Sequence, residues 1–522
     1  MSKNLRHVAV VAGSTLGSRV LGLLRDILIF AVLGASLFNS AFLVAFTLPN
    51  LFRRLLGEGA LTSAFVPVLS DELEEGGKPA GYLFLNRVLT RLFLLLLALT
   101  ALGMGASWAL RLVEGLPTRW YLVGELNLIM LPYMILICLA ALLGACLNVL
   151  GRFAIPALSP ILLNLSMLFF LGVLGWVFSD SLAVATLWLS MGVLFGGILQ
   201  LLFPGWGLRR EGWRPQWDMS ADPALGELMK ILLPGLAGAA VLQVNILVGR
   251  VLAFTLEESA VALLYLASRL IELPLGVFAI AITTVVFPGL ARCISNRDEE
   301  GFGQSLEEGL RLILAISLPA AIGLMVLGAP VLQVLFQYGA FGAGEVSETL
   351  PLLWIYAAGL PFYAATTFLV RAHHARKDMR SPLLAAVVVL FLNLILSLSL
   401  MGPYGAAGLA LANVFSVLVQ TLLLTWAMTR NAKYWSPFGM GTALMKIGLG
   451  AALLAGVCLL GNFLVGLADL GMRTEALLEV LVLIPLAVVV YFGALLVLGF
   501  EELAGLRRLW RRADPPDGGA VS

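Results

Sequence analysis

Four guanidinium groups stand inside two apolar stretches near the start of the chain. Arg19 and Arg25 lie in GSRVLGLLRDILIF, with Asp26 beside the second, and Arg53 and Arg54 lie in LPNLFRRLLGEGALTSAFVP, with Glu58 four residues further on. A charged side chain at the centre of a bilayer costs roughly 2.5–3.5 kcal/mol even on lenient insertion scales, so these groups must face a hydrated cavity or one another. Guanidinium forks stay charged at any physiological pH and grip phosphate oxygens in bidentate fashion. The chemistry they point to is therefore the binding of an anion. A static buried network with Asp26 and Glu58 as counter-ions is the alternative, but two local carboxylates against four arginines leave a positive surplus.

The elements that position these groups read as helices. At about 100° per residue, Ser14, Ser18, Gly22 and the Arg25/Asp26 pair share one narrow face with Arg19 at its edge, a small and charged wall expected to line a cavity. Pro49, Gly57 and Gly59 bracket Arg53, Arg54 and Glu58, an interruption tolerated at membrane depth only where backbone borders protein or water. Later in the chain Arg269 precedes Glu272 by one i, i+3 step, which places them as a pair on one helix face. Arg250 is expected to snorkel to the outer interface.

Composition fixes the class. The 522 residues are 60% hydrophobic and 12% charged, with mean hydropathy +0.98, a balance no soluble globular domain approaches. Runs of 18 or more mainly apolar residues predict an all-α polytopic membrane protein of about 14 transmembrane helices. With the N-terminus inside, 24 of the 33 basic residues collect in cytoplasmic segments; only Arg111, Arg119 and Arg473 lie outside and six lie within spans. That asymmetry supports both the span number and an orientation with both termini cytoplasmic. Cys138, Cys146, Cys293 and Cys458 have no metal-ligand spacing and read as buried thiols. His373 and His374 fall in a basic turn and read as solvated or headgroup-facing. No phosphate-binding loop or nucleophile elbow is present, so neither ATP hydrolysis nor any metal or cofactor is expected, and nothing calls for nucleic acid.

An internal repeat organises the chain. Ala60-Leu61-Thr62-Ser63 with Pro67 and Leu69 echoes Ala281-Ile282-Thr283-Thr284 with Pro288 and Leu290 at an offset of 221, and Ser159-Pro160 echoes Ser381-Pro382 at 222. The offset equals six spans, which predicts two six-helix lobes of like topology related by a pseudo-two-fold axis along the membrane normal, with two extra helices at the C-terminal end. The boundaries read as 1–207 for the first lobe, 208–223 for an interfacial cytoplasmic linker whose arginines and tryptophans meet headgroups, and 224–430 for the second lobe. Residues 431–500 are the added pair and 501–522 a cytoplasmic tail.

Ser18-Arg19-Val20-Leu21-Gly22 with Arg25-Asp26, Leu48-Pro49-Asn50-Leu51 with Arg53-Arg54 and Glu58-Gly59-Ala60, Ala64-Phe65-Val66-Pro67, and Arg269-Leu270 with Glu272, Pro274, Gly276 and Val277 resemble the MurJ/MviN family of lipid II flippases. The resemblance covers essentially the whole chain. It implies a central cationic cavity in the manner of the multidrug/oligosaccharidyl-lipid/polysaccharide exporter superfamily, with a lipid-tail groove made by helices 13 and 14. By the motifs, Arg19, Arg25, Arg53 and Arg269 would clamp a substrate pyrophosphate, with Asp26, Glu58 and Glu272 balancing cavity charge. The implied partners are the lipid-linked peptidoglycan precursor, membrane lipids and cell-wall synthesis proteins, at the bacterial cytoplasmic membrane; the oligomeric state stays open. Two departures stand out: Ser40 and Ser268 occupy positions where relatives often carry an acid. Some relatives are thought to hold sodium among spans seven, eleven and twelve, whereas this chain has Gly249 where an Asp is expected and offers Asn393, Ser397 and Asn413. A flippase for another polyprenyl-pyrophosphate glycan, a multidrug antiporter, which should carry an excess of cavity carboxylates, and a non-transporting scaffold of wall synthesis are the competing readings.

Overall fold

The computed structural model describes residues 3–57, 59–276, 280–431, 435, 440–500 and 502, with backbone alone for 3–10, 237, 280, 281, 283–285 and 431. Glu58 lies outside the described residues. The regular elements of the described chain are helices: α1 (Lys3–Leu33), α2 (Leu37–Phe52), a π-helical turn (Arg53–Gly57), α3 (Ala60–Ala109), α4 (Thr118–Met130), α5 (Pro132–Val149), α6 (Ala154–Phe169), α7 (Trp176–Phe178), α8 (Leu182–Arg210) and α9 (Pro223–Leu256). There follow α10 (Ala260–Pro274), α11 (Ile280–Ser295), α12 (Glu299–Phe336), α13 (Ala343–Ala375), α14 (Arg380–Asn431), α15 (Gly441–Leu467), α16 (Met472–Leu478) and α17 (Ile484–Val497). Side chains mark several starts, since Ser36, Ser181, Asp222 and Asp298 each accept a backbone N–H of the first turn they cap.

Among the described residues, 10 helical segments are long and apolar enough to cross a membrane. Two of these cannot be single passes. The segment Leu37–Leu112 has 76 residues and Arg380–Arg430 has 51, whereas about 20 residues span a hydrocarbon core. Each is broken at a glycine in the left-handed region, Gly77 at φ 67° and Gly405 at φ 54°, which other residues reach only at a cost of ~1–2 kcal/mol. The run reverses there without leaving helix for long, so the acidic stretch 71–75 is helical up to the break.

The chain divides into two compact units. The first comprises Met1–Ala262 with Tyr338–Gly342. In it α1 packs on α6, α5 lies between α3 and α8, α2 on α4, and α9 on α2 and α3. Phe65 and Phe84, both fully buried, stack with ring centroids 5.6 Å apart and join the two halves of α3. The second unit comprises Leu263–Gln337 with Ala343–Ser522. There α12 packs on α13, α13 on α14, and α15 on α12 and α17, around Phe302, Phe368 and Tyr491.

The stretch between α8 and α9, expected from its composition to meet headgroups, is also held from within the protein. It is a strap bonded to the second half of α3. Trp213 is buried and its indole N–H donates to Asn86 Oδ1 at 2.9 Å, while Asn86 Nδ2 donates to Arg214 O at 3.1 Å. Arg87 pairs with Asp218 and Asp222 at 3.0 and 2.5 Å, and Arg91 donates to Met219 O and Ser220 O. At its start Glu211 pairs with Lys78 at 3.0 Å and Arg152 at 2.6 Å, and these hydrogen bonds hold its carboxyl below the usual range. Backbone groups with no helix to satisfy them are bonded to α3 instead, a constraint invisible in the linker's own composition. Trp217 alone of the two tryptophans stays exposed.

Candidate functional site

In the first unit the sequence-predicted arginines fall into distinct settings. Arg25 grips Asp26 Oδ1 from Nη2 at 2.6 Å and from Nε at 3.1 Å. Asp26 is 2% exposed. The remaining arm, Nη1, donates to Asn164 Oδ1 on α6 at 3.0 Å, and Asn164 Nδ2 donates to Ser18 O on α1 at 3.2 Å. Ser14, Gly22 and Asp26 are buried, so the narrow face expected to line a cavity is in large part the seam between α1 and α6. Arg25 is held across that seam by Asn164. Asn164 was not singled out from the sequence; the signal available was a lone amide in the apolar run of α6.

Arg19 is exposed and makes no ion pair among the described residues. Arg53 and Arg54 stand in the π-helical turn, a wide turn that appears where a helix carries function. Arg53 Nε donates to Asn50 Oδ1 at 2.8 Å, and the Thr62 hydroxyl closes the turn on Gly57 O at 2.5 Å. Arg54 is exposed, again with no ion pair among the described residues. A turn of the same π type covers Leu275 and Gly276, 222 residues beyond Arg53 and so at the repeat's own offset.

Arg250 does not snorkel. Its Nη1 points into the protein, donating to Thr47 Oγ1 at 2.6 Å and Leu43 O at 3.1 Å on α2. Ser40 is buried and accepts from Ala262 N at 3.4 Å.

The second unit holds the rest. Arg269 Nη1 pairs with Glu272 at 2.7 Å, as the i, i+3 spacing predicts. The pair is exposed, with Glu272 54% exposed, and an exposed pair of this kind is worth only ~0–1 kcal/mol. Ser268 donates to Tyr265 O on its own helix. An apolar groove of about 470 Å³ runs between α12, α15 and α17, lined by Pro319, Leu324, Leu454, Ile484, Tyr491 and Phe492 among others, within the ~300–1,000 Å³ range of ligand clefts. The Tyr491 hydroxyl is turned away from solvent onto Ala315 O at 2.6 Å.

His373 also departs from its expected surface role. It is fully buried, with Nδ1 2.9 Å from Asp378 Oδ2 and Nε2 3.1 Å from Leu424 O. Both neighbours can accept a ring N–H. Burial alone would raise the Asp378 carboxyl, but the Ser381 hydroxyl and N–H and the His373 ring together hold it at about 2. No group of three or more His, Cys, Asp or Glu able to hold a metal occurs among the described residues.

Comparison with known proteins gives this arrangement a context. The family model described as "Lipid II flippase MurJ" matches residues 29–471. A probable lipid II flippase MurJ of Vibrio cholerae is 33% identical over 434 residues, 80% of this chain and 82% of that protein. One of Bdellovibrio bacteriovorus is 32% identical over 97% of both. The lipid II flippase MurJ of Burkholderia cenocepacia is 30% identical over 96% of this chain and 99% of its own. Among solved structures, a lipid II flippase MurJ in an inward closed conformation superposes with TM-score 0.78 at 26% identity, covering 95% of this chain and all of that one. An inward-facing multidrug resistance transporter of the MATE family superposes with TM-score 0.63 at 14% identity, a likeness of fold alone.

Proposed function

The chain belongs to the MurJ family of lipid II flippases, and we infer from that membership that it moves lipid II from the inner to the outer leaflet of the bacterial cytoplasmic membrane for peptidoglycan synthesis. It is a transporter: no bond is made or broken. The observation that carries the reading is the set of guanidinium groups on α1 and the α2 turn, with Arg19 and Arg54 exposed and Arg25 and Arg53 oriented by Asn164 and Asn50. A pyrophosphate is the substrate part that such forks fit, and an organic cation is the one they repel. In this reading Arg19, Arg25, Arg53 and Arg269 clamp the pyrophosphate, Asp26, Glu58 and Glu272 balance charge, and the apolar groove of the second unit takes the lipid tail.

The finer architecture follows from the same reading. Breaking α3 at Gly77 and α14 at Gly405, and joining α2 to 60–76, α4 to α5, α6 to α7, α10 to α11 and α16 to α17, gives fourteen membrane passes with both termini cytoplasmic. Twelve of them form two six-helix lobes, 1–207 and 224–430; the matching π turns at Arg53 and Leu275 support the duplication. The substrate crosses by alternating access of the lobes. The test is depletion of the protein in its native organism followed by measurement of the leaflet distribution of lipid II. Accumulation in the inner leaflet is expected, whereas an unchanged distribution with a different polyprenyl-pyrophosphate trapped inside would reassign the substrate.

A further inference from the structure

The strap between α8 and α9 gives its acids to cations from other segments. Glu211 is taken by Lys78 and Arg152, and Asp218 and Asp222 are taken by Arg87. Arg209 and Arg210 at the end of α8 and Arg214 in the strap are left exposed, with no ion pair among the described residues. The Arg210 guanidinium lies instead 3.8 Å over the Trp206 ring. Three guanidinium groups thus stand within six residues of chain and have no carboxylate assigned to them.

Beside these cations the first unit has an apolar groove of about 340 Å³. Leu89 and Phe93 of α3, Leu139 and Leu143 of α5 and Leu201 of α8 line it together with Trp217 of the strap, whose ring meets Phe93 edge-on with centroids 6.0 Å apart. Positions 86, 89, 90 and 93 share one face of α3, so that wall runs about 10 Å along the helix. Arg214 stands between two further lining residues, Trp213 and Pro215. Away from the strap the apolar surface continues, with Leu94 and Leu97 on the next turn of α3 and Ile198 one turn back on α8 all exposed. Trp206 and Trp217 are exposed at the strap end, where amphipathic rings suit the headgroup level of a bilayer. An apolar slot that begins at arginines and tryptophans and runs off along two membrane helices has the polarity of a lipid.

We propose that this groove holds one acyl chain of an anionic glycerophospholipid whose phosphate is taken by Arg214, with Arg209 and Arg210 adding positive charge. A guanidinium fork suits phosphate oxygens. A zwitterionic headgroup brings its own cation to the same place and is held less well. The site lies wholly within the first unit and does not depend on which lipid-linked glycan the protein moves.

The probe is a phosphatidylglycerol carrying a diazirine midway along one acyl chain, irradiated with the detergent-purified full chain, and the labelled peptides are identified by mass spectrometry. Label is expected on α3 within 86–97, on α5 within 139–143 or on the strap within 213–217, and unlabelled phosphatidylglycerol should displace it several-fold better than phosphatidylcholine with the same chains. Arg214→Gln should weaken this labelling about fivefold and Arg209→Gln/Arg210→Gln/Arg214→Gln further, since each basic residue near an anionic headgroup counts for roughly that factor. Leu89→Trp and Leu139→Trp fill the groove from two different helices and leave the arginines in place. Either should lose the same label, and the exposed arginine variants decide the matter if neither tryptophan chain accumulates. Label confined to other helices overturns the proposal, as does equal displacement by the two phospholipids or wild-type labelling in the triple glutamine chain. Label displaced by lipid II and not by phosphatidylglycerol would give the groove to the transported lipid and overturn it as well.

Discussion

Replacing Arg25 by Ala should reduce the amount of folded protein as well as its activity, and this sets Arg25 apart from Arg19. The carboxylate of Asp26 is 2% exposed and takes two bonds from Arg25, at 2.6 and 3.1 Å. Removing one partner of a buried pair costs about 3–5 kcal/mol, because the remaining charge stays in a low-dielectric site. Asn164 Oδ1 loses its donor in the same step; since the three groups form one network, that loss is counted within the first figure and not added to it. Arg25 is itself 15% exposed, so some water reaches the pair and the lower end of the range, ~3 kcal/mol, is the better expectation. Against a total stability of ~5–15 kcal/mol that is a large fraction. Arg19 is exposed without an ion pair among the described residues, so Arg19→Ala should change stability by less than ~0.5 kcal/mol. The assay is the thermal aggregation midpoint of detergent-purified protein, read beside the level in membranes. Arg25→Ala should lower both, and Arg25→Ala/Asp26→Ala, which removes the buried charge, should recover most of the loss without recovering transport. Arg25→Ala melting at the wild-type temperature would refute the argument.

Three further outcomes follow from local geometry. Asp378 is held at about 2 against an ordinary 3.8, so its depressed carboxyl contributes stability that is fully present above 3.8 and lost as pH falls towards 2; the difference in melting temperature between wild type and Asp378→Asn should be constant from neutral pH down to about pH 4 and shrink below it, and a difference that grows on acidification would contradict this. Gly339 at φ +55° would place a methyl 2.2 Å from Ala31 O, and Gly34 at φ +61° one 2.8 Å from Ala340 O, so either change to Ala should cost at least ~1–2 kcal/mol, whereas Gly13→Ala, with nothing within 4 Å, should melt as the wild type does. Spans seven, eleven and twelve carry no acid but Glu227, and Asn393 and Ser397 are neutral, so transport should stop when an ionophore dissipates the membrane potential, where each charge crossing is worth about 2.3 kcal/mol per 100 mV, and continue when choline replaces sodium at constant potential; a strict sodium requirement would overturn this.

What could be read in advance was what depends on near neighbours. Apolar runs give helices, and one i, i+3 step pairs Arg269 with Glu272 because helix geometry alone brings them together. The family motifs around Arg19, Arg25 and Arg53 were legible for the same reason. What escaped depends on partners far along the chain. Asn164 meets Arg25 across 139 residues, and Arg250 meets Thr47 across 203. An arginine near a helix end can reach outward to headgroups or inward to a hydroxyl with equal ease, and only the placement of α2 decides. His373 looked solvated among basic neighbours, yet the turn brings Asp378 and the Leu424 carbonyl to its two nitrogens. The strap 211–222 has no periodicity of its own, and its fold is dictated by Asn86, Arg87 and Arg91 on α3.

The central claim, that guanidinium groups carry the pyrophosphate of lipid II through the membrane, is tested most directly at Arg19, where stability and transport separate cleanly. In cells depleted of the native protein and complemented with either chain at equal membrane level, outer-leaflet lipid II can be scored by its cleavage with an externally added hydrolase of the pyrophosphate bond. Cleavage is expected in cells carrying the wild-type chain and little in those carrying Arg19→Ala or Arg19→Lys, with the precursor accumulating in the inner leaflet. Wild-type cleavage with Arg19→Ala would contradict it.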